Sequence, residues 1–166
     1  MMAELQDVLD EFGNKTGRLH ERGTPMQPGE YRLAVEVWIV NGKGEFLISK
    51  RSPHVRASQN MWQPTTGAVI AGDDSLKTAL KEAWEEIGVM LSPENGRLIL
   101  RRVIDNMFLD VWIFHQEVDI SDVMLDPKET VDAKWVDEDT IRQMIVNGEF
   151  ILDDVDSFNI LLKQGT

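Results

Sequence analysis

The chain has 166 residues, 29 acidic against 17 basic side chains and a formal net charge of −12, with 42% hydrophobic content. That length suits one domain over residues 1–166 that buries roughly two-thirds of its unfolded surface, and the composition argues against wholesale disorder. The acidic balance repels a phosphate backbone and so argues against a nucleic acid polymer as partner, while the absence of cysteine removes disulfides, thiolate metal sites and cysteine nucleophiles.

In chain order, the first 30 residues form an N-terminal extension. It includes a hairpin expected over 7–17, with Phe12, Gly13, Asn14 and Lys15 supplying the turn. Glycines and prolines between Gly23 and Gly29 mark a loop. The first strong strand is expected over 32–40, where Leu33, Val35, Val37 and Ile39 alternate on one face. Asn41, Gly42, Lys43 and Gly44 turn the chain into a second strand over 45–51. A polar loop over 52–60 and a short segment over 61–66 lead to a glycine-bounded turn over 67–74.

The clearest helix is expected over 75–87. Leu76, Ala79, Leu80, Ala83, Trp84 and Ile87 fall at helical spacing, and Gly88 is a natural stop. Strands are expected over 97–104 and 106–118, the second rich in Val, Trp, Ile and Phe. Helical patterns follow over 138–146 and 155–163. Strands mixed with about three helices and no internal repeat imply a layered α/β (α+β) domain. No apolar run reaches the 18 or so residues of a membrane helix, and the first residues lack a basic segment followed by an apolar one, so no membrane partner and a cytoplasmic location are expected.

On a helix turning about 100° per residue, Glu82, Glu85 and Glu86 share one narrow face, placed here opposite the apolar stripe. Like charges at i and i+4 destabilise a helix by a few tenths of a kcal/mol, and a divalent cation turns that repulsion into attraction. An ordinary solvated acidic face is the alternative on the helix alone.

The surrounding residues narrow the choice. Gly67 is followed after five intervening residues by Asp73, and after seven more by Lys81, Glu82, Ala83, Trp84, Glu85, Glu86, Ile87, Gly88 and Val89. This pattern over 67–89 resembles the signature box of the Nudix hydrolases, in which Glu is usual where Asp73 stands, Arg where Lys81 stands and a larger aliphatic residue where Ala83 stands. Lys81 supplies the charge of that Arg without its planar fork, and Lys81 with Asp73 reads as a serviceable replacement pair.

The resemblance implies a Nudix-type α/β/α sandwich, with a curved mixed sheet between helices and the Leu76, Leu80, Trp84 and Ile87 stripe packed on it. It implies an enzyme that cleaves a diphosphate linkage in a nucleoside diphosphate derivative or similar small diphosphate, by attack of water at phosphorus. Carried over by position, Glu82, Glu85 and Glu86, with the Gly67 carbonyl, would hold Mg2+ or Mn2+; oxygen-only ligands suit these ions. The general base would be Glu82 or, on a later loop, Glu129, which lies in a stretch acidic from Asp126 to Asp132 and reads equally as a solvated carboxylate. Lys50 and Arg51 would reach the diphosphate, with a surface pair at a strand end as the plain alternative. Trp62 and Trp38 could stack on a base, although large aromatics beside strands are more often core residues. His20, His54 and His115 stand in no metal-ligand spacing. A homodimer is the default expectation.

Two other readings follow from the same resemblance. The segment through Ser49, Lys50, Arg51 and Ser52, after an early hairpin, also looks like the branch related to isopentenyl diphosphate isomerase. Isomerases of that kind use a catalytic cysteine, which this chain lacks. A nucleotide-binding module without turnover is expected to have lost box carboxylates, and all three are present here.

Overall fold

The computed structural model describes residues 2–152 and 155–165. The expected hairpin is present and longer at both ends, pairing β1 (Leu5–Leu9) with β2 (Lys15–Glu21). Its turn is built by Asp10, whose carboxylate accepts the backbone N–H groups of Phe12 and Asn14 at 2.9 Å each, a local side-chain bond that turns of this kind favour.

β3 (Arg32–Val40) lies at the centre of a seven-stranded sheet. β8 (Met107–His115) runs parallel to it in continuous register from Arg32 opposite Met107 to Val40 opposite His115, and β7 (Gly96–Ile104) lies antiparallel beyond. On the other side β4 (Phe46–Arg51) pairs with β5 (Trp62–Gln63) and β9 (Thr130–Val136), while β6 (Thr65–Ala68) pairs with β3. One parallel pairing among antiparallel ones makes the sheet mixed, as expected.

A strand covered on both faces must be apolar at nearly every position. Along β3, Val35, Val37 and Ile39 pack with Ala79, Ala83 and Ile87 of α1 (Ser75–Ile87), forming one core layer. Ala34, Trp38 and Val40 face the other way, against Ile141 and Met144 of α2 (Glu138–Val146) and Phe158 and Leu161 of α3 (Val155–Gly165). The result is an α/β/α sandwich. Trp38 is 1% exposed, with the rings of Phe46, Phe150 and Phe158 at centroid distances of 5.5, 6.1 and 5.3 Å. It cannot stack on a ligand base, because its indole is part of this core; its Nε1 donates to Glu36 at 2.7 Å. Among the described residues no helix is long and apolar enough to cross a membrane.

α1 begins and ends where its local chemistry dictates. The Asp74 side chain accepts from the Lys77 backbone N–H at 2.7 Å, an N-cap, and Gly88 closes the helix in the left-handed region at φ 65°. A side chain at Gly88 would also meet Met124 Cβ at 2.7 Å, so two constraints hold this position to glycine.

The expected packing of α1 needs correction. Trp84 is 54% exposed, and the residues buried on this helix are Thr78, Ala79, Ala83 and Ile87. At about 100° per residue, the seat on the sheet is centred near Ala79 and Ala83, and Trp84 has rotated out of it. Small side chains let the helix approach closely. Glu86 and Glu82 then fall on the flank of that buried face, not opposite it.

Candidate active site

The flank of α1 that carries the glutamates forms one wall of a cleft of about 700 Å3. Glu82, Glu85 and Glu86 line it together, with Thr66 and Gly67 of β6, Arg51 at the end of β4, and Glu129 from the loop before β9. The structure therefore brings six of the sequence-derived candidates together: Gly67, Glu82, Glu85, Glu86, Arg51 and Glu129. Lys50 and Trp62 are placed elsewhere. They face each other across β4 and β5, with the ammonium groups of Lys50 and Lys134 lying 5.9 and 4.3 Å from the Trp62 ring centroid.

Close packing fixes the carboxylates. A methyl group built on Gly67 would overlap the carboxyl group of Glu82, so glycine is required for the helix side chain to rest on the strand. Glu86 is half-buried as a residue, but its Oε2 is shut off from solvent and has no hydrogen-bond partner. The Thr130 hydroxyl donates to the Glu86 carbonyl at 2.6 Å and the Ser52 N–H donates to the Glu129 carbonyl at 2.8 Å, which ties the Glu129 loop to both α1 and β4.

An isolated carboxylate in such a place resists ionisation. Burial, followed by the charges of Glu82 and Glu129, raises Glu86 well above the usual carboxylate range; Arg51 and the Thr66 amide oppose the rise. Burial and then the Glu85 charge push Glu82 up to about 7, against the pull of Lys81 and Arg22. The glutamates thus oppose one another's ionisation, and the nearby basic groups offset this only in part. Among the described residues no group of three or more His, Asp or Glu side chains is arranged to hold a metal ion as they lie. What the cleft holds is a set of hard oxygen donors, one of them orphaned, in mutual repulsion.

Arg51 is held in place for its role in the wall: its Nε donates to the Ala57 carbonyl at 3.0 Å and its Nη1 to Gln63 Oε1 at 3.3 Å. Asp73 pairs with Lys77 at 2.6 Å, one helical turn on, and Lys81 faces the cleft beside Glu82.

The sequence reading missed Glu4, Arg22, Arg32 and Glu36, which also line the cleft. Arg32 and Glu36 share the strand face of Ala34 and Trp38, and two charged residues at period two in an apolar strand are a readable sign of a functional edge. Glu4 and Arg22 gave no such sign, because only the packing of the hairpin brings them in.

Comparison with known proteins agrees with this geometry. A family model described as the NUDIX domain matches residues 30–153. The chain is 33% identical over 149 residues to a Nudix hydrolase of Listeria monocytogenes, covering 89% of this chain and 88% of that protein. It is 25% identical over 150 residues to an isopentenyl-diphosphate Delta-isomerase of Pectobacterium atrosepticum, covering 86% and 83%. A crystal structure from Deinococcus radiodurans superposes with a TM-score of 0.75 at 21% identity, covering 93% of this chain and 96% of that one.

Proposed function

The chain belongs to the Nudix hydrolase family, and from that premise we propose that it hydrolyses a diphosphate linkage in a nucleoside diphosphate derivative or similar small diphosphate, using Mg2+ or Mn2+. The observation that carries this reading is the unpartnered, buried Oε2 of Glu86, in a cleft it shares with Glu82, Glu85 and Arg51. An orphaned carboxylate oxygen beside two further carboxylates fits a hard divalent cation, which would supply the missing partner. Glu82, Glu85 and Glu86, with the Gly67 carbonyl, would hold it.

When bound, the cation would neutralise charge on the diphosphate oxygens and polarise the phosphorus under attack. The remaining work falls to the chain. Arg51, fixed by Ala57 and Gln63, presents a guanidinium suited to a phosphate oxygen pair. A water molecule attacking phosphorus must lose a proton, and Glu82 or Glu129, which both line the cleft, would accept it. As the new P–O bond forms, the bond from the attacked phosphorus to the bridging oxygen breaks, and the leaving phosphate departs with that oxygen and its electron pair. The net charge of −12 supports a small substrate over a polymer.

The isomerase-like relative raises a second reading, protonation chemistry at carbon. The chain has no cysteine to perform it, and its retained box carboxylates favour hydrolysis over both isomerisation and binding alone. The test is phosphate release from a panel of nucleoside diphosphate derivatives with Mg2+ or Mn2+, using a coupled phosphatase and a chelated control. Metal-dependent release supports the proposal; silence across the panel with metal binding intact would favour a binding module.

A further inference from the structure

Two guanidinium groups in the cleft wall belong to neither the box nor the diphosphate contacts argued above. Arg32 opens β3, and Arg22 lies one residue beyond β2, outside the region matched by the family model. The Arg32 side chain is half-buried, and among the described residues no acid partners it. The charge that acts on it is the like charge of Arg22, and burial together with that charge lowers its affinity for a proton.

Arg22 is held by Glu4, its Nη1 lying 2.6 Å from Glu4 Oε2, with both side chains about half exposed. Exposed pairs of this kind contribute little and exchange readily. Both residues act on the charge of Glu82, which places the end of the hairpin beside the carboxylate helix. A half-buried cation whose charged neighbour is another cation is unfavourable unless an anion joins them. Two guanidinium forks facing one cleft match the oxygens of a phosphate group, and a diphosphate whose bridge sits at the glutamates would carry its terminal group past them.

We propose that Arg22 and Arg32 form a subsite for an unesterified terminal phosphate, so that the enzyme prefers substrates ending in free phosphate over those capped by a sugar or second nucleoside. This rests on the diphosphate hydrolase reading. The hairpin then acts as a substrate-selecting wall, its Arg22 adding positive charge from outside the box to that of Arg51 and Lys81.

The test compares the full-length wild type with Arg22→Gln and Arg32→Gln on a nucleoside diphosphate or triphosphate and on a nucleoside diphosphate sugar. Charge-assisted hydrogen bonds of this kind shift binding by about tenfold or more. The expected result is a rise in KM at least about tenfold greater for the phosphate-terminated substrate than for the capped one, with kcat changed much less. Equal losses on both substrates would overturn the proposal. Since Arg32 is half-buried and its variant could misfold, the exposed Arg22 variant decides that case.

A second arm does not need turnover: calorimetric titration of inorganic pyrophosphate in the presence of a chelator. Binding to the wild type that weakens about tenfold in either variant supports the subsite. No binding to the wild type, or unchanged binding in folded variants, contradicts it. If the wild type turned over neither substrate but bound pyrophosphate through these arginines, the hydrolase reading would fail and the subsite would stand.

Discussion

The carboxyl group of Glu82 rests so closely on the backbone of Gly67 that a methyl group at residue 67 would overlap it. The strand β6 and the helix α1 are thereby locked at the point where the acidic flank of α1 enters the cleft. Gly67→Ala should displace the Glu82 side chain, lower kcat by about two orders of magnitude and destabilise the fold by about 1–3 kcal/mol, as overpacking does. Steady-state kinetics alongside thermal denaturation would check both halves. Full activity in the alanine variant would mean that Glu82 is not held by this contact.

Glu86 should show opposite effects on activity and stability. Its carboxyl is buried, has one oxygen, Oε2, without a partner and is repelled by Glu82 and Glu129, so without metal the charge is a liability to the fold. Glu86→Gln removes that charge while keeping the shape. The expected outcome is a Tm equal to or above that of the chelated wild type, with turnover down by orders of magnitude. Denaturation scans in chelator paired with rate assays would detect a loss of stability, which would contradict the account.

The pH dependence follows from Glu82. Its carboxyl is pushed from 4.5 up to about 7, so between those values the folded protein binds more protons than the unfolded chain. Without metal, this group's effect is therefore to reduce stability as pH rises from about 4.5 to about 7. A bound cation needs the carboxylate ionised, so metal affinity should rise across the same window. Denaturant titrations and metal titrations at pH 5, 6, 7 and 8 would read both trends, and Glu82→Gln should flatten them. Metal affinity independent of pH below 7 would contradict the assignment.

Two tryptophans give a control on the packing. Trp38→Ala, which empties a site among Phe46, Phe150 and Phe158, should cost about 3–5 kcal/mol, whereas Trp84→Ala, on the outer side of α1, should cost well under about 1 kcal/mol. Urea denaturation of the two variants measures the difference directly.

These two residues also mark how far the sequence could be read. The bounds of α1 were legible because they are local: Asp74 caps one end, Gly88 the other, and the intervening period is helical. β3 was legible for its alternation, but only one of its two buried faces was recognised, since period-two reasoning on Leu33 to Ile39 does not reveal that a second layer covers Ala34 and Trp38. Trp84 was placed inward because it falls at helical spacing with Leu76, Leu80 and Ile87, while the sheet takes the smaller Ala79 and Ala83. Helical spacing put the box glutamates on one face, but the resemblance of residues 67–89 to the Nudix signature is what singled them out. Arg22 and Arg32 were not, because their meeting depends on how the hairpin packs against β3, a contact that no local pattern encodes.

The central claim is tested most directly by phosphate release from a nucleoside diphosphate derivative with Mg2+ or Mn2+, run on the wild type, with chelator, and on Glu86→Gln. The account predicts turnover that chelator abolishes and that Glu86→Gln lowers by orders of magnitude. Turnover that persists in chelator, or a near wild-type rate in Glu86→Gln, would contradict the assignment of the glutamate cleft as a metal-dependent active site.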